Sequence, residues 1–209
     1  MEDPVQARWD ARYAAADEVW SSAPHMSFAA VAEELPPGRA LDVACGEGRH
    51  GLYLAERGWQ VTAADFSAVG IEKARQRGVQ RGLSLDWQNV NVCRHAFAPC
   101  AYDLVLVIFL HTPPAERTAW LANAKAAVRE GGTFFYLVHD PSNVTLGAGG
   151  PQDPRLLPAV DEIVASLPEF EVLCAEVVER PAAADTGHGV RAQAAGVFAR
   201  DALVRAVRR

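Results

Sequence analysis

The chain has 209 residues, of which half are hydrophobic and 22% are charged, so we expect one globular domain with a sizeable core. Its formal net charge of −6 argues against a surface for nucleic acids or anionic membranes. The four cysteines form no C-x-x-C pair, so we predict reduced thiols, no metal site and a cytoplasmic protein. No signal-peptide pattern and no apolar run near the ~18–20 residues that span a bilayer are evident, so no membrane contact is expected.

The predicted elements begin with two helices, over residues 4–16 and 26–35. Strands and helices then alternate as far as residue 138, which is typical of a parallel sheet. The predicted strands of this part are 40–44, 59–64, 83–90, 102–110 and 133–138. The predicted helices between them are 49–57, 68–81 and 113–128.

After residue 140 the pattern changes. A loop rich in glycine and proline covers residues 141–154, and a helix is predicted over 158–167. Two β-rich runs follow, at 171–179 and 189–203. The turn-rich segment 181–188 between the two runs favours a hairpin.

The glycines after the first predicted strand indicate a nucleotide site. Gly46-x-Gly48-x-x-Gly51 follows an apolar strand and opens a helix, and Asp65 ends the next strand. In such a unit the glycines let a ligand approach the backbone, and the carboxylate accepts hydrogen bonds from a ribose. The same pattern fits an NAD-dependent Rossmann oxidoreductase, which stays open as an alternative.

Two acids favour a positively charged cofactor over a dinucleotide. Asp42 lies inside the first predicted strand, where a carboxylate can hold a cationic amino group but adds nothing to a pyrophosphate site. Glu47, within the glycine loop, would repel a pyrophosphate. A ligand with a sulfonium and no phosphate fits these acids, so we predict S-adenosylmethionine as the cofactor.

The segment Leu41-Asp-Val-Ala-Cys-Gly-Glu-Gly48, with Asp65, resembles the first motifs of class I S-adenosylmethionine-dependent methyltransferases. Further segments resemble a small bacterial subgroup related to tellurite-resistance and thiopurine methyltransferases. The resemblance implies a Rossmann-like three-layer α/β sandwich with a seven-stranded, mostly parallel sheet in the order 3-2-1-4-5-7-6 and one antiparallel strand. We predict a single domain over 1–209, comprising an N-terminal helical lid (1–37), a cofactor-binding core (38–139) and a loop, helix and hairpin (140–209).

The predicted donor residues lie at the carboxyl ends of the first two strands. Gly46 and Gly48 are expected to pass close to the amino acid part of the donor, since a Cβ there would push it away. Asp42 is expected to neutralise the donor ammonium, directly or through water. Asp65 is expected to accept hydrogen bonds from both ribose hydroxyls.

The adenine and the methyl group involve the next two strand ends. Phe66 is expected to pack on the adenine face. Where the family commonly has an acid that receives the adenine amino group, this chain has Asn91 followed by Val92, and an amide oxygen can accept the same bond. A surface-turn asparagine is the alternative. Ile108 is expected to enter the crevice from the fourth strand.

The N-terminal segment that carries Tyr13 and Trp20 resembles the lid of the same subgroup. An aromatic ring over a sulfonium is attracted by a cation–π interaction. Both side chains are therefore predicted to contact the cofactor, with packing in the core as the alternative for each.

Three residues at the fourth and fifth strand ends are candidates for catalysis. The resemblance places His111 near the transferable methyl group, where it would act as a general base or position the acceptor. A histidine that bonds only the loop backbone is the alternative. His139 and Asp140 close the fifth strand on the same rim, but neighbouring strand residues point to opposite faces, so their adjacency does not make a dyad.

The predicted function is transfer of a methyl group, by in-line displacement, to a small-molecule acceptor such as a thiol, an oxyanion or a hydroxyl. The chain has His111-Thr-Pro-Pro where amino-methylating DNA and glutamine enzymes have Asn-Pro-Pro-Tyr, which together with the acidic composition argues against a nucleic-acid acceptor. A non-catalytic S-adenosylmethionine-binding protein stays open as an alternative, as does the choice between monomer and homodimer.

Overall fold

The strands of the computed structural model, which describes residues 3–182 and 197–209, form one seven-stranded sheet. They are β1 (Arg39–Val43), β2 (Gln60–Asp65), β3 (Asp86–Asn89), β4 (Tyr102–Ile108), β5 (Val128–His139), β6 (Phe170–Pro181) and β7 (Phe198–Arg208). Their order is β3-β2-β1-β4-β5-β7-β6, and β7 is antiparallel to both of its neighbours. The predicted fold and strand order are confirmed.

Helices cover both faces of the sheet. They are α1 (Pro4–Ala14), α2 (Met26–Glu34), α3 (Arg49–Ala55), α4 (Ala68–Gln80), α5 (Pro114–Ala127), α6 (Asn143–Leu146) and α7 (Val160–Ala165), with a 3₁₀ turn at Pro154–Leu156. Among the described residues, no helix is long and apolar enough to cross a membrane.

Alternation along the central strands divides the core into two apolar layers. On β5, Phe134 and Tyr136 pack with Trp120 of α5 on one face of the sheet. Phe135 and Leu137 point to the other face, where the side chains of α2 and α3 lie. Successive strand residues point to opposite faces, so a strand buried on both faces is apolar throughout. The layers are those of a three-layer sandwich.

Two strands end at residues with unusual backbone conformations. Ala44 and Phe109 both have φ of 60°, in the left-handed region that residues other than glycine rarely adopt. β1 therefore ends at Val43, one residue before its predicted end, and β4 ends at Ile108, two residues before its predicted end. This left-handed turn takes Phe109 off the sheet at the edge where the strands β1, β2 and β4 end.

The last third of the chain differs from the prediction in detail. β5 begins at Val128 rather than at residue 133, with an irregular register opposite β4. The predicted loop 141–154 contains the short helix α6. β6 continues to Pro181, into the predicted turn 181–188. Residues 183–188 of that turn and 189–196 of the predicted run 189–203 lie outside the described residues, but β6 and β7 pair antiparallel as a hairpin requires. The division into lid, core and closing segment stays a prediction.

Candidate cofactor and acceptor site

A cavity of about 800 Å³ lies at the carboxyl ends of β1, β2 and β4. Its wall includes nine of the predicted site residues, and α1 with the segment that follows it contributes part of the cover. The nine are Tyr13, Trp20, Gly46, Asp65, Phe66, Asn91, Val92, Ile108 and His111. A crevice at this edge of an open α/β sheet is where such folds bind ligands.

The Asp65 carboxylate is held in place by two backbone amides on the cavity wall. The N–H of Gly46 donates to its Oδ2 at 2.9 Å, and that of Ser67 donates to its Oδ1 at 2.8 Å. Burial raises the pKa of Asp65 to about 6, although both amide bonds lower it. Each oxygen keeps a second lone pair, so the carboxylate can still accept from a diol. Ser67, and not Asp65, caps α4 through its bond from Gly70.

Asp42 lies beneath the glycine loop rather than on the cavity wall. Its Oδ2 accepts the N–H of Gly51 at 2.9 Å, and its side chain is almost fully buried. Burial raises the pKa of Asp42 to about 7. Its predicted role toward the donor ammonium stays a prediction, and the contact present in the structure is with the first turn of α3.

Gly48 is constrained by local packing, and its predicted contact with the donor stays a prediction. Its φ is +78°, and a Cβ there would lie 2.9 Å from both Ala74 and Trp87. It therefore permits the turn into α3 and close packing against α4 and β3. Gly46, with φ +54°, faces the cavity instead, where a Cβ would lie 2.6 Å from the hydroxyl of Tyr13.

The wall next to Asp65 contains the predicted adenine residues. Phe66, Asn91 and Val92 all lie on it. The side-chain oxygen of Asn91 accepts the N–H of Cys93 at 3.0 Å, which is a local turn bond. Sequence reasoning missed Asn89, whose amide donates to the carbonyls of Asp65 and Phe66 at 3.1 and 2.9 Å and fixes that corner.

The lid segment is anchored to the glycine loop by Glu47. Its Oε2 accepts the N–H groups of Val19 and Trp20 at 3.0 and 3.2 Å. Its Oε1 lies 2.7 Å from Lys73 and 3.3 Å from Arg77, both on α4. The sequence argument assigned the charge of Glu47 to the ligand, whereas in the structure two cations and two lid amides share it.

Further polar bonds hold the lid in the same position. Lys73 donates to the carbonyls of Tyr13 and Ala16 at 2.8 and 2.6 Å. Asp10 of α1 accepts from Ser67 Oγ and from the N–H of Val69 at the start of α4. Trp20 lies over the cavity beside Arg12, whose guanidinium is 4.7 Å from its ring centroid. This arrangement fits a lid, whereas its predicted mobility stays a prediction.

Three aromatic rings cluster around one another at the end of the cavity next to β4. His111 stacks on Phe109 at 6.2 Å and on His139 at 5.2 Å, measured between ring centroids. His111 lies on the cavity wall, whereas the ring of His139 is fully buried behind it. His139 thus supports His111 rather than lining the site itself.

His139 pairs with Asp201 of β7 and not with Asp140. Its Nδ1 lies 2.7 Å from Asp201 Oδ1, and Arg180 Nε donates to Asp201 Oδ2 at 2.7 Å. Although burial opposes it, the hydrogen bond from His139, the nearby His25 ring and the charge of Arg180 lower the pKa of Asp201 well below its usual range. No sequence signal linked residues 62 positions apart.

Asp140 lies away from the cavity wall. Its Oδ1 accepts from the N–H and hydroxyl of Ser142 at 2.9 and 2.5 Å, which caps the turn into α6. Among the described residues, no group of three or more His, Cys, Asp or Glu side chains is arranged to hold a metal ion. The sulfur of Cys45 is buried, and burial raises the pKa of its thiol.

Residues 40–132 match a family model described as a methyltransferase domain. TehB from Haemophilus influenzae has the same fold, with a TM-score of 0.75 and 18% identity over 90% of this chain and 64% of that chain. Residues 40–132 and the fold thus resemble the class I S-adenosylmethionine-dependent methyltransferases. This resemblance favours S-adenosylmethionine over NAD as the cofactor.

Curated relatives within the methyltransferases act on different acceptors. A ubiquinone biosynthesis O-methyltransferase from Idiomarina loihiensis is 32% identical over 100 residues, which are 47% of this chain and 41% of that protein. A tRNA 5-carboxymethoxyuridine methyltransferase from Escherichia coli is 32% identical over 109 residues, which are 48% of this chain and 41% of that protein. The match thus spans about two fifths of either relative and does not identify an acceptor.

The cavity fits the cofactor of this methyltransferase family. Asp65 presents a fixed carboxylate with free lone pairs, which suits a ribose diol. Gly46 brings bare backbone to the wall, and Trp20 and Tyr13 provide aromatic surface above it. The volume of about 800 Å³ is large enough for the cofactor and a small second ligand.

Proposed function

We propose that this chain binds S-adenosylmethionine in the cavity and catalyses methyl transfer to a small-molecule acceptor. The observation that carries the proposal is the Asp65 carboxylate, fixed by the amides of Gly46 and Ser67 on the wall of a cavity under the lid. A carboxylate oriented in this way can accept from both ribose hydroxyls without moving.

The other wall residues complete the donor site. Phe66 and Val92 offer apolar surface to the adenine, and Asn91 lies beside them with its amide. Asp42 acts from below the glycine loop, where its negative charge favours a cationic ammonium at the cavity end of β1.

Catalysis by these residues requires positioning and exclusion of water. When bound, S-adenosylmethionine supplies an activated methyl group, which passes to a lone pair of the acceptor while the sulfonium bonding electrons stay on sulfur. Trp20 and Tyr13 cover the cavity, and Glu47 fixes the segment that carries Trp20. His111 lies where it can orient the acceptor and take its proton, if it has one to lose.

Two features support a small-molecule acceptor over a tRNA. The lid folds over the cavity and is anchored by the ion pairs of Glu47. The covered cavity therefore has room for a compact second ligand. The chain also has a formal net charge of −6, which disfavours a polyanionic partner.

The test is the release of S-adenosylhomocysteine from S-adenosylmethionine in the presence of small thiols, phenols, carboxylates and oxyanions, with total tRNA in parallel. We expect release with at least one small acceptor and none with tRNA. Methylated tRNA would contradict the small-molecule proposal. Absence of turnover with every acceptor, despite binding of S-adenosylhomocysteine, would favour the non-catalytic alternative.

Gly46→Val is the matched inactive control for this assay. A side chain at this position would be strained by the φ of +54° and would meet the hydroxyl of Tyr13. Gly48→Val is unsuitable, because its side chain would collide with Ala74 and Trp87 and disturb the fold.

A further inference from the structure

The end of the cavity next to β4, here called the acceptor end, is formed around Phe109. Because of its left-handed φ of 60°, Phe109 leaves the sheet there, and such strain is found chiefly where the surrounding structure requires it. Its ring is approached by two guanidinium groups, from Arg49 at 5.9 Å and from Arg180 at 5.1 Å. Arg49, Phe109 and His111 all lie on the cavity wall.

The two arginines differ in their surroundings. Arg180 is buried and donates to Asp201, which also pairs with His139. Arg49 is half-buried in the first turn of α3 and belongs to the cavity wall itself. Burial is the larger cause of the low pKa of the neighbouring His50, and the positive charge of Arg49 lowers that pKa further. A cationic group is thus presented at this end by a protein whose net charge is −6.

Most of the remaining wall at the acceptor end is apolar. It is lined by side chains from the end of β4, the first turns of α5 and the segment before α7, namely Leu110, Ala115, Ala119, Pro151 and Leu156. Glu116 of α5 also lies on the wall, where its Oε2 is 3.8 Å from the sulfur of Cys93. An inorganic oxyanion would leave this apolar surface without a partner, whereas an organic acceptor would cover it.

We propose that the acceptor is an organic anion with an apolar body, whose negative group is bound by Arg49 next to the rings of Phe109 and His111. The body of this acceptor packs on the apolar wall formed by Leu110 and Leu156. Guanidinium groups recognise carboxylates through charge-assisted, often bidentate hydrogen bonds. The inference rests on the proposed function and names the substrate class of the same site.

The test compares benzoate with its neutral isostere benzamide, each titrated calorimetrically into protein saturated with S-adenosylhomocysteine. Both probes have the same apolar ring, so the ratio of their affinities reports the charge preference. We expect benzoate to bind at least about ten-fold more tightly. Arg49→Gln should abolish the preference, Arg49→Lys should keep part of it, and Arg81→Gln, on the surface beyond α4, should leave it unchanged.

Three results would overturn the inference: equal affinities in the wild-type protein, a preference that survives Arg49→Gln, or no binding of either probe to protein that does bind S-adenosylhomocysteine. Selenite binding in place of benzoate would likewise contradict an organic acceptor. Failure of S-adenosylhomocysteine itself to bind would instead contradict the proposed function. Thermal melting of Arg49→Gln separates loss of recognition from loss of fold, and the wild-type ratio does not depend on any variant.

Discussion

At the scale of single residues, burial of two carboxylates, Asp42 beneath the glycine loop and Asp65 on the cavity wall, makes the stability of the protein depend on pH. Burial raises the pKa of Asp42 to about 7 and that of Asp65 to about 6. An unfolded chain would release both protons near pH 4. Between these values the folded protein binds more protons than the unfolded chain, so the free energy of unfolding falls as the pH rises from about 4 to about 7.

Asp42→Asn should therefore flatten the pH dependence of stability. The asparagine oxygen can still accept the N–H of Gly51, but the buried group no longer ionises. The melting temperature of the variant should fall less than that of the wild-type protein between pH 5 and 7.5. The exposed Asp86→Asn serves as control. Parallel melting profiles for wild type and Asp42→Asn would refute the raised pKa.

His111→Ala should separate the two ends of the cavity. The side chain lies on the wall next to Phe109, away from the Asp65 carboxylate, so the binding of S-adenosylhomocysteine should change by less than about two-fold. Methyl transfer should fall by about a hundred-fold if His111 accepts a proton. His95→Ala, outside the cavity wall, is the control. Equal losses in binding and transfer would move His111 to the cofactor site.

The location of a site residue could be predicted from the sequence when its partners are close to it in the chain. Gly46 and Asp65 belong to one short β-turn-α-β unit, and the cavity contains both as expected. The pairing of His139 with Asp201 joins β5 to β7, and no spacing in the sequence indicates it. Glu47 was recognised as unusual, but its cations on α4 and its amide partners in the lid are distant in sequence and were not predicted.

At the scale of elements, the lid is connected to the core chiefly by polar bonds. Lys73 and Arg77 are four residues apart on one face of α4 and both reach Glu47. Removing the negative charge of Glu47 would leave the positive charges of Lys73 and Arg77 without a neutralising partner. The lid is therefore expected to depend on this one carboxylate for its closed position.

Glu47→Gln should loosen the lid without disturbing the sheet. Hydrogen exchange of residues 15–22 should become faster, and the affinity for S-adenosylhomocysteine should fall by about ten-fold. Glu72→Gln, on the exposed face of α4, removes a surface ion pair with Arg75 and is the matched control. Unchanged exchange in residues 15–22 of Glu47→Gln would show that the lid is held by other contacts.

Hydrophobic pattern was enough to predict the existence and order of the elements but not their ends. The apolar run at 102–110 correctly predicted a central strand, yet β4 stops at Ile108 because Phe109 turns away. No residue type signals that turn, since a phenylalanine with positive φ is stabilised by its surroundings rather than by its own propensity. β5 began earlier than predicted because the Gly131-Gly132 pair did not end the pairing with β4.

At the scale of the whole molecule, charge is distributed unevenly between surface and cavity. The net charge of −6 coexists with a cavity wall on which five arginines outnumber four carboxylates, namely Arg8, Arg12, Arg49, Arg77 and Arg94 against Asp3, Glu47, Asp65 and Glu116. Composition alone predicted the negative net charge of the chain but did not indicate which arginines lie on the cavity wall. The strand order brings the ends of β1, β2 and β4 together, so that the residues proposed for the donor and the acceptor, from three parts of the chain, share one cavity.

The central claim is that this cavity holds S-adenosylmethionine through Asp65. Calorimetric titration of S-adenosylhomocysteine into the wild-type protein and Asp65→Ala tests it most directly, with NAD as the competing ligand. We predict one S-adenosylhomocysteine per chain, no heat with NAD, and at least about ten-fold weaker binding to a folded Asp65→Ala, since charge-assisted hydrogen bonds contribute ~1.5–3 kcal/mol. Binding of NAD in preference to S-adenosylhomocysteine, or unchanged affinity in Asp65→Ala, would contradict the account.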